Sequence, residues 1–588
     1  MNKKSIAILC IAALVTLMTG GVVGFYLFEN APEASIVVLS DTHIISESYF
    51  TSESIYQTYS NRDKMLHLSE AITKTIVDEI IRNKKIKTVL IPGDLTEAGD
   101  LSSHLAAARI FQKLADSGKQ VFVINGNHDS PDHNFGTRIP SGMFREIYYN
   151  FGYKQALVAD DASLSYTADI NEKYRLIAID NDNYNSSDTL SYKEEVDDRL
   201  INWCEKQITD CKQEGKTPII MAHKPFFNFF PEFVSKITKR DKSFDKIMDM
   251  FLRNGVNFAL TGHNHIQSMK RIKKDENVFY DIGTCSAIYY PCAYRTIAFK
   301  KHEVVFDIVY TEKINMSYVH PYTSEEEYTK IENDFPLYAK EHCEKGVTFM
   351  NALSGSYIID LLNLSGPLAE LAALLVDEAL LPLLTMPLYE KDALGGQSLQ
   401  KIAKTQGVDL PASDYTTARQ LLTFFIMNVS KGSLSHTLDS VEIKLLNQVV
   451  YAFFYKFNEL KDAIAAIVPD APVLNLDIDR LYSNNELELF ESNFLAFAVS
   501  LGGSSLPFQI NINKLTDLRT LNILITPILN LVVAGLGDAA IEAIGSKEIN
   551  LKMLLDNAVY GLLIIDFLNI EESNKVIINK ETLKKSTY

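Results

Sequence analysis

The 588-residue chain has no surplus of positive charge: 74 acidic side chains against 57 Lys and Arg give a formal net charge of -17. A nucleic-acid backbone demands a basic surface, so no nucleic acid polymer is expected as a partner. An anionic substrate would need local positive charge from another source, and metal ions are the obvious one. Cysteine is scarce as well, and the six present fit no disulfide framework. Cys10 lies in the N-terminal apolar segment, and Cys343 is single. Cys204 and Cys211 sit on one predicted helix at a separation of roughly 10 Å, too far for a bond. Cys285 and Cys292 could pair across a loop, but most of the six read as buried thiols. No regular internal repeat is found. With 47% hydrophobic and 22% charged residues the composition is globular rather than disordered, and the length predicts roughly two to four domains.

A long uncharged run does open the chain. Lys3-Lys4 followed by Ile6 through Phe28 reads as a signal peptide or an uncleaved signal anchor, long enough to span a bilayer core of about 30 Å. The lysines before it, with Glu29 and Glu33 after it, place the bulk of the chain outside the cytoplasm, membrane-anchored or secreted. Leu9 stands where a lipobox needs a small residue before Cys10, which argues against lipidation. A second run, Leu521 to Gly537, is short for a span and is read as a buried helix.

Short apolar runs then recur with turn residues behind them: Ser35-Ile36-Val37-Val38-Leu39, Thr88-Val89-Leu90-Ile91, Val121-Phe122-Val123-Ile124, Pro218-Ile219-Ile220-Met221 and Val256-Asn257-Phe258-Ala259-Leu260. Runs of this length and composition predict fully buried strands. A polar, aromatic loop carrying Tyr49, Tyr56 and Tyr59 precedes a helix over Asp63 to Asn83, where Leu66, Ile72, Ile76 and Ile80 keep helical spacing. Further helices are predicted over Leu101 to Ser117, Lys193 to Glu214 and Phe244 to Asn254, with strands at Leu164 to Thr167 and Leu176 to Asp180. The β-α-β alternation calls for a parallel sheet with helices on its faces. Short alternating strands between Gln267 and Tyr310 suggest antiparallel pairing. The expected fold is α/β, a two-sheet β-sandwich flanked by helices. At about Tyr322 the pattern changes: Ser324-Glu325-Glu326-Glu327 has the spacing of a capping box, and nearly everything beyond it reads as helix, broken by Gly395-Gly396 and Gly502 to Ser505. The expected domains are residues 1-34, 35-318 and an all-α C-terminal domain over 319-588, for which packing, substrate gating or partner binding is the expected role.

Each predicted strand ends in a ligand-type residue: Asp41-Thr42-His43, Gly93-Asp94, Gly126-Asn127-His128-Asp129, Ala222-His223 and Gly262-His263-Asn264-His265. In open α/β sheets ligands gather where the carboxyl ends of strands open into loops. His263 and His265, separated by one residue, can both leave one turn toward one point in space, a way to hold metal. Imidazole suits zinc, iron, manganese or nickel better than magnesium or calcium. Singly, His223 before Lys-Pro reads as a loop histidine and Asp94 as a turn aspartate; five such strand ends together read as one centre. His67, His104, His133, His302, His320, His342 and His436 belong to no block and read as surface or packing residues. His133 and Arg138, just past Asp129, read as a solvated loop.

These five blocks, in this order, resemble the calcineurin-like metallophosphoesterase superfamily, with no block missing. Leu95-Thr96-Glu97-Ala98-Gly99 after Gly93-Asp94 resembles the bacterial class III cyclic-nucleotide phosphodiesterase branch, and Phe144 to Tyr153 with the appended helical domain looks like its secreted members. The resemblance covers roughly residues 35 to 318. It implies one metal held by Asp41, His43, Asp94 and His265 and another by Asp94, Asn127, His223 and His263, with Asp94 as the shared carboxylate. The ions would be divalent or trivalent transition metals: manganese, iron or zinc. Two divalent ions outweigh Asp41, Asp94 and a bridging hydroxide by about one positive charge, enough to attract a phosphodiester monoanion. The hydroxide would attack phosphorus, with His128 stabilising the developing charge or protonating the leaving oxygen. Asp129 would orient His128 or close the turn. The expected activity is hydrolysis of a small-molecule phosphodiester outside the cytoplasm. Alternatives are a phosphomonoesterase or nucleotide or lipid-headgroup hydrolase, or a non-catalytic envelope binding protein with a vestigial metal site. If the N-terminal segment stays attached, it also contacts membrane; no protein partner is indicated.

Overall fold

The computed structural model describes residues 32–129, 139–182, 196–226, 243–274, 277–346, 354–356, 359, 366–405, 407–431, 440–467 and 575–579. The N-terminal apolar run, His133, Arg138, His436, Gly502 to Ser505 and the Leu521 to Gly537 stretch lie outside the described residues.

Two sheets carry the fold. In the first, β1 (Ala34–Val38), β2 (Thr88–Pro92) and β3 (Gln120–Ile124) run parallel. The second holds β4 (Val158–Ala159), β5 (Tyr166–Asp169), β6 (Tyr174–Ile179), β7 (Thr217–Ala222), β8 (Phe258–Thr261), β9 (Lys270–Lys274) and β10 (Asn277–Gly283), in the order β4-β5-β6-β7-β8-β10-β9. The chain then returns to the first sheet through β11 (Ala293–Phe299) and β12 (Glu303–Tyr310), and β13 (Lys575–Asn579) closes it, giving β13-β12-β11-β1-β2-β3.

The near-continuous apolar runs are explained by burial on both faces. In β7, Ile219 and Met221 join the core between the sheets, with Val38, Leu90 and Phe122 of the first sheet. Ile220 and Ala222 point the other way, onto Cys204 and Ile208 of one helix and Phe251 of another. The helices are α1 (Glu53–Ser60), α2 (Ser69–Arg82), α3 (Leu101–Asp116), α4 (Ser141–Ile147), α5 (Asp198–Gln213) and α6 (Ser243–Arg253). Asp100 and Asp197 start α3 and α5 by accepting hydrogen bonds from Ser103 N (2.9 Å) and Leu200 N (2.7 Å), the usual N-cap chemistry. The two sheets are stitched near their carboxyl ends, where Tyr166 Oη donates to Val123 O (2.8 Å) and Asn125 Nδ2 to Asp180 Oδ1 (2.9 Å).

Three expectations change. The segment read as a polar, aromatic loop contains α1: Ser52 caps it, and Tyr56 turns inward to pack edge-on against Phe50 at 5.2 Å. Burial of one ring orders a stretch whose composition is that of a loop. The core also runs past residue 318. Ile331 of α7 (Glu325–Asn333) and Phe335, Tyr338 and Ala339 of α8 (Phe335–Gly346) belong to the same apolar cluster as Leu66, Leu68 and Ile288. Finally, the segment read as all-α contains β13, which pairs antiparallel with β12 and buries Ile578. A five-residue strand with three β-branched residues, Val576, Ile577 and Ile578, between polar flanks carries little signal by itself; an open sheet edge decides it. Other elements after α8 are helices, including Ala418–Lys431 and Val441–Glu459. Cys285 and Cys292 are buried and unpaired, as are Cys204, Cys211 and Cys343. Among the described residues no helix is long and apolar enough to cross a membrane.

Candidate metal centre

All the strand ends singled out above open on one edge of the sandwich, and the backbone there is bent to an unusual degree. Asp41, His43, Asp94, His263 and His265 have φ of 52°, 40°, 49°, 70° and 56°. Left-handed backbone costs a non-glycine residue about 1–3 kcal/mol and persists only where the surroundings enforce it. Here they do, by cross-strand bonding: His43 N donates to Asp94 O (2.9 Å), Ile44 N to Leu95 O (3.0 Å) and Gly262 N to His223 O (3.0 Å). The loops also pack so tightly that two positions exclude a side chain. A Cβ on Gly93, itself at φ 87°, would lie 2.5 Å from His223 Nδ1, and one on Gly126 would lie 2.3 Å from Asp94 Oδ1 and 2.4 Å from Asp94 N. Gly126→Ala is therefore expected to push Asp94 aside and lower turnover by ~10²-fold, the scale of an ångström misplacement, with metal uptake weakened and the far-ultraviolet circular dichroism unchanged. Wild-type rates and metal content in that variant would contradict the packing argument.

Seven side chains converge in two groups. In the first, His43 Nε2 lies 2.9 Å from His265 Nε2, 3.6 Å from Asp94 Oδ2 and 3.9 Å from Asp41 Oδ1, and His265 Nε2 lies 3.4 Å from Asp41 Oδ1. In the second, His223 Nε2 lies 3.3 Å from Asp94 Oδ2, 3.0 Å from Asn127 Oδ1 and 3.2 Å from His263 Nδ1, which is itself 2.8 Å from Asn127 Oδ1. The same oxygen, Asp94 Oδ2, belongs to both groups.

The partners on the far side of two rings settle which nitrogen carries the lone pair. His223 Nδ1 is 2.9 Å from the Pro92 carbonyl, which can only accept, so Nδ1 donates and Nε2 faces Asp94 and Asn127. His43 Nδ1 likewise donates to Glu97 Oε2 at 2.8 Å. Lone pairs and carboxylate oxygens thus point at one another, an arrangement that a cation between them makes favourable. These residues fit a metal site, and each group contains three or more ligand atoms within 4.8 Å of one another.

The electrostatics agree. Burial opposes ionisation of Asp94, but the charges of His223 and His128 outweigh it and hold the carboxyl well below its usual range. Asp41 is lowered as well: burial works against it, and the hydrogen bond and charge of His265 prevail. Burial, reinforced by the Lys64 ammonium, pushes His43 down to about 3 and keeps it neutral. For His223 burial favours the neutral ring, yet the neighbouring Asp94 carboxylate pushes it up to about 10, so a proton occupies the Nε2 position when nothing else does.

His128 stands at the open edge, its side chain one-third exposed, with Nδ1 donating to Glu97 O (2.7 Å) and its backbone N donating to Asp94 Oδ1 (2.8 Å). That leaves Nε2 for proton exchange. Asp129 does not touch His128. Its carboxylate accepts from Leu95 N (3.0 Å), Thr96 N (2.9 Å), Thr96 Oγ1 (3.0 Å) and Gly126 N (3.0 Å), so it closes the turn and locks two ligand-bearing loops together. Of the two roles expected for it, the turn is the one built.

Two residues of the site have a role that the sequence does not show. Glu97 holds the His43 ring and lies 3.5 Å from His128 Nδ1, and Lys64, 2.5 Å from Glu97 Oε2, neutralises it. Glu97 stands in the Leu95-to-Gly99 stretch, where only the fold shows that its carboxylate turns back to a histidine fifty-four positions upstream. Lys64 comes from the loop before α2, outside every block.

Residues 34–267 match the calcineurin-like phosphoesterase family. No curated protein matches the chain. Among solved structures, a dimetal phosphatase from Danio rerio aligns at 12% identity over 47% of this chain and 96% of that one, with a TM-score of 0.36. A purple acid phosphatase from yellow lupin seeds aligns at 13% identity over 47% and 51% (TM-score 0.30), and the NAD nucleotidase of Haemophilus influenzae at 12% identity over 47% and 49% (TM-score 0.28). The chain spans about half the length of these last two. With two converging His/Asp groups at the strand ends, residues 34–267 form a calcineurin-like phosphoesterase domain.

Proposed function

We propose that the chain is a metal-dependent phosphoester hydrolase that acts on small-molecule phosphodiesters outside the cytoplasm, with two transition-metal ions, manganese, iron or zinc, at the paired groups. The observation that carries the dinuclear reading is the double membership of Asp94 Oδ2, 3.6 Å from His43 Nε2 on one side and 3.3 Å from His223 Nε2 on the other. Asp41, His43, Asp94 and His265 would hold one ion, and Asp94, Asn127, His223 and His263 the other. Such ions lower the pKa of bound water toward neutrality and stabilise charge on the oxygens of an in-line displacement.

The chain's own residues supply the rest. His128 Nε2, at the open edge, gives a proton to the departing oxygen, while Glu97 O fixes its ring through Nδ1 at 2.7 Å. The Pro92 carbonyl and the Glu97 carboxylate hold His223 and His43 by their outer nitrogens, so that neither ring can rotate away. Such outer partners are worth 10–100-fold in affinity or activity where they have been removed. The diester preference rests on the Leu95-to-Gly99 stretch. The location outside the cytoplasm rests on Lys3-Lys4 and the uncharged run after it.

Purified protein loaded in turn with manganese, iron or zinc is to be assayed on an aryl phosphodiester and on the corresponding aryl monoester. Faster turnover of the diester supports the proposal. Faster turnover of the monoester replaces it with a phosphomonoesterase, and hydrolysis of neither leaves a binding protein. Protease treatment of intact cells tests location: a chain that resists digestion until the cells are opened is not outside.

A further inference from the structure

Resting on the dinuclear reading of the hydrolase, we propose that Lys64 is a positioning residue that balances the two ion positions, cancelling the charge that Glu97 would otherwise lend to His43. The two ligand groups differ on their outer side. His223 donates from Nδ1 to an uncharged partner, the Pro92 carbonyl (2.9 Å), whereas His43 donates from Nδ1 to a carboxylate oxygen, Glu97 Oε2 (2.8 Å). A carboxylate behind an imidazole raises its basicity as a ligand. Glu97 alone would therefore make the group of Asp41, His43, Asp94 and His265 the stronger of the two. The Lys64 ammonium lies 2.5 Å from that same Oε2 and 3.5 Å from His43 Nδ1. With the ammonium in place the outer partner of His43 is neutral as a unit, as the carbonyl is behind His223.

The charge is held in one place. The side chains of Lys64 and Glu97 are 12% and 21% exposed, so salt screens their effect on His43 less than it screens a surface pair. Loop 61–65 is tied down along its length: Asn61 N donates to Gln57 O (3.0 Å), Met65 N to Ile288 O (3.1 Å) and His342 Nε2 of α8 to Arg62 O (2.9 Å). Behind this last bond the His342 ring stacks on His67 with centroids 5.2 Å apart, and His67 Nε2 lies 3.0 Å from Glu327 Oε1 of α7. Helices beyond residue 318 thus set where Lys64 stands. Glu97 Oε2 also lies 3.5 Å from His128 Nδ1, so an ammonium and two ring N–H groups surround one carboxylate. His43, Glu97 and His128 bring ligand atoms within 4.8 Å of one another, but a third ion there would have to displace two ring protons and the ammonium. The chain supplies that cation itself.

The test reads the zinc affinity of the full chain by competition with a chromophoric chelator, a measurement that does not depend on turnover. K64M is expected to tighten the strongest zinc-binding step ~10-fold, and E97Q, which keeps an acceptor for His43 but no charge, to weaken one step ~10-fold, the lower end of what outer partners are worth. K64R, which keeps the charge, is expected to match wild type. K64Q repeats the loss of charge with a polar side chain should K64M fail to fold, and far-ultraviolet circular dichroism checks each variant. Opposite shifts are what a balance of charge requires, whereas a purely structural pair would weaken zinc binding from either side. Weaker binding in both the Lys64 variants and E97Q, or no change in K64M and K64Q, overturns the role of Lys64 and leaves the hydrolase intact. Opposite shifts in a chain that hydrolyses neither aryl diester nor aryl monoester with zinc, manganese or iron support the role of Lys64 and overturn the hydrolase. A wild-type chain that takes up none of the three metals overturns both.

Discussion

Asp94→Asn is expected to reduce phosphoester turnover by roughly 10³-fold or more, because the electrostatic stabilisation that metal ions supply amounts to several kcal/mol and each 1.36 kcal/mol is tenfold in rate. The argument is specific to this residue. Its Oδ2 is the one atom common to both ligand groups, so one substitution weakens two ions where loss of Asp41 or His263 weakens one. Asparagine keeps the shape, and its carbonyl can still accept from His128 N, as Asp94 Oδ1 does at 2.8 Å. What it removes is the charge between His43 and His223. Metal analysis is expected to fall from two ions per chain to one or none, and the denaturation midpoint of the metal-free protein is expected to fall too, since the carboxylate that pairs with His223 is lost. A variant with two ions and wild-type turnover would show that the centre does not bridge at Asp94.

How much of this could be read from the sequence depends on where each determinant lies. The ligands were legible because each sits directly behind a buried strand, so an apolar run points to it: Val38 to Asp41, Ile91 to Asp94, Met221 to His223. The sandwich was legible for the same reason. The roles of Glu97 and Lys64 were not, because what recruits them is the approach of two loops in space: the stretch around Glu97 points to a family branch but not to His43, and the neighbours of Lys64 give no pattern. Nor was the extent of the core. Phe335 and Tyr338 lie on a helix like those that follow it, and only the contact with Leu66, Leu68 and Ile288 assigns them to the first domain. Tyr56 and Ile578 make the same point in the opposite direction: short segments with weak local preferences take their form from a surface already present, a ring pocket for one and the open edge of β12 for the other.

The metal-free protein is expected to lose stability as pH rises above about 7, and the metal-loaded protein to lose it as pH falls. In the absence of ions Asp94 pushes His223 up to about 10 from 6.5. A group raised on folding stabilises fully below its unfolded value, and that contribution disappears as pH climbs through the folded one, here between 6.5 and about 10. His43 has the opposite sign. Burial pushes it down to about 3, so it opposes folding below 6.5 and is silent above. Asp129, pushed up to about 7 by burial and the Asp94 charge, imposes its cost between 3.8 and about 7 and adds nothing beyond. From pH 7 to 10 His223 is therefore the one of the three whose protonation still differs between folded and unfolded chain. In the loaded protein an ion replaces the proton at Nε2, and acid competes with it for that lone pair. Thermal denaturation midpoints measured from about pH 5 to about pH 10, with chelator and with excess metal, should converge in acid and separate toward alkali. Ligand linkage predicts that separation to grow with free metal concentration. Two curves that stay parallel across the range would mean that the proton on His223 and the ion do not compete for one place, and the second ligand group would have to be reassigned.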